Sequence, residues 1–267
     1  MEALAQRSAL APPVGVLLRT WRARRRFSQL DFALEAGISQ RHLSFVESGR
    51  AVPSRDMVLL LADHLDLPLR DRNALLLAAG YAPLYPARSL EDPTLAPARA
   101  AVDQLLASHA PFPALAVDGH WTLVAANAPA QALLGSMLPP TWLAPPLNLL
   151  RASLSPDGLG PRIANLPQWR RHLLDRLRRQ VAAAADPVLR ALLAELEALP
   201  AAASSATPTR ADEVFVPLLL DAPAGRLSFF STVTTFGTPM DVTLSEIQLE
   251  SFFPADEATR AALMRAA

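Results

Sequence analysis

Polar and aromatic side chains recur between residues 40 and 50 at the spacing of one helix face. A helix there would point Leu43 and Val46 inward and leave four side chains outside: Gln40, Arg41, Ser44 and Phe45. Gln and Arg pair bidentately with adenine and guanine edges, and Phe can contact a thymine methyl group. The chemistry that this face predicts is direct reading of base edges in duplex DNA.

The segment 28–50 predicts two short helices joined at Gly37. Ser28 can cap the first helix by accepting a hydrogen bond from a backbone N–H of its first turn. Gly37 ends that helix, because a left-handed residue costs least without a Cβ, and Ser39 caps the next. The apolar positions predicted to face inward from the first helix are Leu30, Ala33 and Leu34.

Three further helices are predicted around this pair, over 14–27, 54–65 and 70–79. The sequence of this segment resembles the Cro/repressor-type (Xre) helix-turn-helix domain, a five-helix fold. The positions that carry the resemblance are Ser28-Gln29…Ala33…Gly37-Ile38-Ser39…Leu43…Glu47-Ser48-Gly49-Arg50. An αα-hairpin with no role in nucleic-acid binding is the alternative interpretation.

The resemblance implies a role for each DNA-facing side chain. Gln29 would bind a phosphate at a helix N-terminus, Gln40 and Arg41 would meet base edges, and Ser48 and Arg50 would hold the opposite backbone. The complete set implied is Gln29, Ser39, Gln40, Arg41, Ser44, Phe45, Ser48 and Arg50. Glu47 would be repelled by phosphate, and the resemblance implies a structural pair between Glu47 and Arg22.

Composition limits the remaining function classes. The chain has 267 residues, enough for two domains, 51% hydrophobic residues, 25 basic and 25 acidic residues, and no cysteine. The five histidines lie too far apart for local metal spacing, so neither a metal nor a cofactor is expected. Without a signal sequence or a run of ~20 apolar residues, we expect a cytoplasmic protein that does not enter a membrane.

The charge of the N-terminal segment predicts a homodimer. Residues 14–72 contain ten arginines and seven acidic residues, so a single copy should bind DNA weakly. Helix-turn-helix proteins usually dimerise to read two half-sites about 34 Å apart.

We predict domains over 14–80 and 98–260, joined by a proline-rich linker over 81–97. Asp118-Gly119 predicts the turn of a first β-hairpin, with strands over 114–117 and 121–125. The spacing of apolar residues predicts helices over 98–108, 169–185 and 188–199, followed by a loop over 200–210. It also predicts three antiparallel strands over 214–220, 226–236 and 242–253. The expected fold is therefore an N-terminal five-helix domain followed by a PAS-like α+β domain with a five-stranded antiparallel sheet.

Four segments of the second domain resemble the MmyB-like ligand-binding domain: Trp121–Asn127, Asn148–Arg151, Trp169-Arg-Arg and Leu227–Glu246. That domain typically follows an Xre-type domain in bacterial regulators. The resemblance, together with the aromatic and aliphatic composition, implies a pocket for a small apolar, fatty-acyl-like ligand.

The pocket residues that we predict are Trp121, Leu123, Trp142, Arg151, Phe229 and Val233. Arg151 would anchor a ligand head group. The alternative is that the apolar members simply fill the core.

The sequence as a whole predicts a sequence-specific, DNA-binding transcriptional regulator controlled by a ligand. It has neither an H-E-x-x-H motif nor a G-x-S-x-G motif, which favours a protein that is not an enzyme. Two alternatives stay open for the second domain: a protein-interaction module, or an enzyme acting on a bound ligand. A stoichiometric partner would indicate the first, and turnover of a bound compound the second.

Overall fold

The structure, a computed structural model, describes residues 12–200, 215–223 and 225–266. The chain divides into two compact units, with the main division near residue 87. Most of the loop predicted over 200–210, and the first residue of the strand predicted from Val214, lie outside the described residues. Among the residues that are described, no helix is long and apolar enough to cross a membrane.

The described residues of the N-terminal unit form the five predicted helices: α1 (Val14–Arg24), α2 (Gln29–Glu35), α3 (Gln40–Glu47), α4 (Arg55–His64) and α5 (Leu69–Ala78). Capping serines set the starts of three of them. Ser28, Ser39 and Ser54 each accept a hydrogen bond from the backbone N–H three residues later. Gly37 takes the left-handed conformation, with a φ of 65°, at the turn between α2 and α3.

The inward face of α2 differs from the prediction. Phe32 and Ala33 are buried, whereas Leu30 is 51% and Leu34 71% exposed. The α2 helix has only seven residues, and the Phe32 ring occupies its inner side, with its centroid 5.8 Å from that of Phe27. The assignment of Leu30 and Leu34 to the core was therefore wrong, because the larger aromatic ring fills the space available to this short helix.

The C-terminal unit mixes helices and strands. Its α-helices are α6 (Ala96–Ser108), α7 (Ala128–Met137), α8 (Pro140–Leu143), α9 (Leu149–Leu154), α10 (Leu166–Ala183), α11 (Pro187–Ala198), α12 (Val242–Glu246) and α13 (Glu257–Ala266), with 3₁₀ turns at Pro93–Leu95 and Gly160–Arg162. Its strands are β1 (Ala114–Val117), β2 (Leu123–Ala126), β3 (Leu218–Ala222), β4 (Gly225–Thr235) and β5 (Gln248–Pro254).

The five strands form one antiparallel sheet in the order β2-β1-β5-β4-β3. Leu115 and Phe229 belong to the larger core cluster, which also includes side chains of α9, α10 and α11. Ala116 and Leu249 belong to a second cluster with Val102 of α6. The strand alternation thus divides the sheet into two covered faces. The predicted class, a helical domain followed by an α+β domain with an antiparallel sheet, is confirmed.

Three local predictions in this unit were wrong. The strand predicted over 214–220 begins at Leu218, directly after Pro217, which has no N–H to donate to a sheet. Val242–Glu246 forms a helical turn instead of the start of the last strand; it follows Asp241, a residue type favoured just before a helix. The second strand begins at Leu123, because the Asp118 carboxylate accepts hydrogen bonds from the backbone N–H groups of His120 and Thr122. This turn leaves Trp121 outside the strand with a φ of 68°.

Candidate DNA interface and ligand cavity

The α3 helix presents a polar face whose position is fixed at its N-terminus. The Ser39 hydroxyl oxygen accepts from the His42 N–H at 3.1 Å, and the buried Leu43 and Val46 hold the opposite side in the core. Gln40 and Arg41 are fully on the outside. Ser44 and Phe45 are partly buried, which places them nearer the base of the exposed face.

Two arginines surround the Phe45 ring. The guanidinium carbons of Arg41 and Arg50 lie 5.3 Å and 6.0 Å from the ring centroid. Arg50 reaches this position because Gly49 turns the chain with a φ of 74° and the Arg50 N–H donates to the Phe45 carbonyl at 2.8 Å. Ser48 donates from its hydroxyl to the same carbonyl at 3.2 Å. The structure therefore gathers four of the predicted DNA-facing residues into one cationic, aromatic patch.

Glu47 is turned into the N-terminal unit, away from that patch. Its carboxylate accepts hydrogen bonds from Arg22 Nε at 2.6 Å, Arg22 Nη2 at 2.9 Å and Gln29 Nε2 at 2.8 Å. Burial would raise the pKa of Glu47, but the hydrogen bonds from Arg22 and Gln29 keep that pKa below its ordinary value. The hydrogen bond to Glu47 raises the pKa of Arg22 in turn. This carboxylate joins α1, α2 and α3 and fixes the angle at which α3 is presented.

Gln29 stands at the N-terminus of α2, where phosphate binding was expected. Its side-chain amide already donates one hydrogen bond to Glu47. A carboxamide has two N–H donors, so a second remains for a phosphate oxygen. The observed bond orients the amide, and the phosphate contact itself is a prediction.

Arg170 of α10 has structural partners at the end of the following helix. Arg170 donates to the carbonyls of Leu196, Glu197, Leu199 and Pro200 at the end of α11, where helix carbonyls lack partners of their own. These contacts fasten α11 to α10. Arg171, one residue further along, is exposed.

The C-terminal unit contains an apolar cavity of about 80 Å³ between the sheet and helices α7, α9 and α10. Its aromatic lining residues are Trp121, Trp169, Phe229 and Phe252, and aliphatic side chains supply most of the remaining wall. Two of the predicted pocket residues, Trp121 and Phe229, are therefore in the wall.

The other four predicted pocket residues do not line this cavity. Val233 shares the sheet face of Phe229 but is 45% exposed, because β4 continues beyond the part of the sheet that the helices cover. Arg151 turns instead to Glu195, to which it donates two hydrogen bonds of 2.7 Å. Leu123 and Trp142 pack, partly buried, against the outside of the same core cluster.

Sequence reasoning missed a buried ion pair beside the cavity. Glu250 lines the cavity, is 5% exposed, and accepts hydrogen bonds from Arg176 Nη1 at 3.2 Å and Ser231 Oγ at 3.0 Å. Arg176 also donates to Gln248 and lies 4.3 Å from the centroid of the Trp121 ring. One signal was present in the sequence: Glu250 is two residues from Phe252 in a strand, so both side chains lie on the same face.

Trp169, which also lines the cavity, carries a buried polar atom. Among the described residues, its indole Nε1 is buried and has no hydrogen-bond partner. Its ring stacks on His172 at a centroid distance of 5.2 Å. Burial, with a further contribution from Arg176, lowers the pKa of His172. A neutral imidazole therefore lies beside the unpaired indole N–H near pH 7.

In the described part of the chain, no three His, Cys, Asp or Glu side chains are grouped closely enough to hold a metal ion. The polar groups on or next to the lining residues include the Glu250–Arg176 ion pair, the Ser231 hydroxyl and the indole N–H of Trp169.

A helix-turn-helix unit followed by a unit with an internal apolar cavity defines the class: a DNA-binding transcription regulator. The comparisons with known families agree. The helix-turn-helix domain family matches residues 13–75, and the MmyB-like transcription regulator ligand binding domain family matches residues 98–266. The second match covers more than half of the sequence, and the chain belongs to this MmyB-like family. The resemblance to the MmyB-like domain is thereby confirmed, and so is the helix-turn-helix class of the N-terminal unit. No curated protein matches the sequence significantly.

Proposed function

We propose that the protein binds a specific duplex DNA sequence as a homodimer and that a small apolar, fatty-acyl-like ligand in the C-terminal unit controls this binding. The observation that carries the proposal is the patch of Arg41, Phe45 and Arg50 on an otherwise polar α3 face. We also propose that the N-terminal unit is of the Xre type and that the C-terminal unit is PAS-like. Because the proposed partner is DNA, we propose a cytoplasmic location.

Two kinds of contact would act together at the DNA. Gln40 and Arg41 are exposed at the start of α3, where a recognition helix meets base edges in the major groove. Gln29 and Arg50 would bind phosphates, which set register and affinity without carrying sequence information. A second copy would read the second half-site, about one helical turn of DNA away.

Control by the ligand requires two arrangements of the dimer. A ligand shifts such an equilibrium only by the difference between its affinities for the two states. The cavity between the sheet and α7, α9 and α10 offers such a ligand an apolar lining. A bound molecule would favour either the arrangement in which both α3 helices fit their half-sites or the one in which they do not.

Selection from randomised duplexes with the full chain, followed by titration of variants, tests the DNA contacts. Arg41→Ala should weaken binding by about 1–3 kcal/mol and relax the preference at one base pair. Gln29→Ala should weaken binding to all sequences alike, because phosphate contacts are not sequence-specific.

Arg171→Ala provides the matched control, since it removes an exposed arginine of the other unit. This variant should bind like the wild type. Wild-type affinity and selectivity in both the Arg41 and the Gln29 variant would contradict the assignment of α3 and of the α2 N-terminus to the DNA.

A further inference from the structure

Two residues that line the cavity, Trp169 and Glu250, differ in how far their hydrogen-bonding groups are satisfied. The Trp169 side chain is 4% exposed, and its Nε1–H has no acceptor within the described parts of the chain. A buried donor without a partner costs about 1–3 kcal/mol. A ligand that brings an acceptor to this N–H would recover that cost. Glu250 is an acceptor in the same wall, and two of its roughly four acceptor sites are used by Arg176 and Ser231.

The charge of the wall is balanced without a ligand. Glu250 is the only charged side chain among the described lining residues. Arg176 neutralises it and is itself engaged by Gln248 and the Trp121 ring. The lowered pKa of His172 keeps that imidazole from adding a positive charge near pH 7. An anionic head group would therefore meet a carboxylate in a medium of low dielectric constant with no spare cation, which is unfavourable.

The size of the cavity shows that only one end of a ligand fits inside. For comparison, a protein cavity of about 150 Å³ holds one benzene molecule. The cavity here has about 80 Å³. An adjacent surface groove of about 570 Å³ is lined by apolar side chains of α7, β3, β4 and α13.

The cavity and the groove are neighbours in the structure. Leu133 of α7 lines both. On β3, Leu220 lines the cavity and Ala222 the groove; on β4, Phe229 lines the cavity and Leu227 the groove. Each pair is two residues apart and so lies on one face of its strand. An elongated molecule can therefore place one end in the cavity and its body in the groove.

We propose that this continuous site binds an uncharged molecule with an apolar body and a terminal hydroxyl or primary amide. The terminal group accepts a hydrogen bond from Trp169 Nε1 and donates one to Glu250, while the apolar body lies in the groove past Leu133. The site discriminates against the carboxylate of an ionised fatty acid. This inference rests on the proposed ligand-controlled function, and it specifies the head group of the ligand.

Four probes of equal chain length test the head group: 1-octanol, octanamide, octanoate and 1-chlorooctane, titrated calorimetrically into the 267-residue chain at pH 7.5. Octanol and octanamide should bind about fivefold more tightly than octanoate and chlorooctane, because one net hydrogen bond is worth about 1 kcal/mol and 1.4 kcal/mol is a factor of ten. Octanoate lacks the donor and carries the disfavoured charge, and chlorooctane lacks the hydroxyl or amide.

Substitutions in the wall locate the effect. Trp169→Phe removes the donor but keeps an aromatic ring, and it should weaken octanol binding severalfold while leaving chlorooctane unchanged. Glu250→Gln should reduce the discrimination against octanoate. Trp142→Phe, which changes an indole outside the cavity, is the matched control and should bind all four probes like the wild type. Thermal melting verifies that each variant is folded, and Trp169→Phe keeps the test decisive should Glu250→Gln unfold.

The outcomes separate the two levels of the proposal. Tight binding of octanoate, with no effect of Trp169→Phe, would overturn the uncharged head group and leave an apolar ligand in place. Failure of all four probes to bind would count against the proposed control by an apolar ligand itself.

Discussion

Each unit of the molecule buries a carboxylate that pairs with an arginine, but the two carboxylates have different surroundings. Glu47 receives three hydrogen bonds from Arg22 and Gln29 and is enclosed by the helices it joins. Glu250 receives two and lines a cavity together with Trp169, whose buried N–H has no partner among the described residues. The N-terminal unit thus uses its buried charge to hold its helices together, and the groups that we propose for DNA binding lie on its surface. The C-terminal unit keeps polar capacity in its interior, as expected for a ligand-binding domain.

The largest effect should come from breaking the scaffold. Glu47→Ala leaves the Arg22 guanidinium, whose side chain is 13% exposed, without its counter-ion. Removing one partner of a buried pair costs about 3–5 kcal/mol. Amide hydrogen exchange of α1 and α3 in the full chain should show this loss as faster opening, with much weaker DNA binding.

Glu195→Ala is the control for that experiment. It breaks an equally well-formed pair with Arg151, but both side chains are nearly half exposed, and such surface pairs are worth about 0–1 kcal/mol. Similar losses in the two variants would mean that burial does not distinguish the Glu47 pair.

A smaller effect should separate stability from recognition within the N-terminal unit. Ser39 and Ser54 make the same capping bond, at 3.1 Å and 3.2 Å, on α3 and α4. Replacing either serine by alanine should cost about 1 kcal/mol of stability. Only Ser39→Ala should also weaken DNA binding at temperatures where both variants are folded, because α3 carries the polar face. Equal DNA affinity of the two variants would argue against α3 as the recognition helix.

The sequence was most informative where local chemistry decides the structure. Capping serines and Gly37 marked the helix boundaries of the N-terminal unit, and Asp118-Gly119 marked the first hairpin. It was least informative where tertiary packing decides. Phe229 and Val233 point to the same face of β4, yet only Phe229 is covered by the helices. No pattern along the chain shows where that cover ends.

The two missed polar features have the same explanation. A glutamate in a strand ordinarily faces solvent, and only the approach of Arg176 from α10 makes the burial of Glu250 tolerable. A tryptophan normally finds an acceptor for its N–H when buried, and the sequence contains nothing to show that Trp169 does not. The apolar character of the candidate cavity could be predicted from the sequence. The burial of Glu250 and the unpaired N–H of Trp169 could be found only from the structure.

The smallest expected effect is a difference between the two units in how their free energy of unfolding changes with pH. The pKa of Glu47 is below its usual 4.5, so its contribution to stability is present above that pH and is lost only as the pH falls through the lower folded value. The pKa of His172 is lowered from 6.5, so below pH 6.5 the unfolded state takes up the proton first. Acidification from pH 7.5 to pH 5.5 should therefore destabilise the C-terminal unit through His172 while the contribution of Glu47 is unchanged.

Urea unfolding followed by tryptophan fluorescence measures this difference, because three of the four tryptophans lie in the C-terminal unit. His172→Gln should flatten the dependence of unfolding free energy on pH between 7.5 and 5.5. His42→Gln, which removes a histidine of the N-terminal unit, should leave that dependence in place. An unchanged slope in His172→Gln would mean that its imidazole is protonated as readily in the folded chain as in the unfolded one. The argument that the cavity wall lacks a spare positive charge would then fail with it, since a charged His172 beside Trp169 could receive an anionic head group.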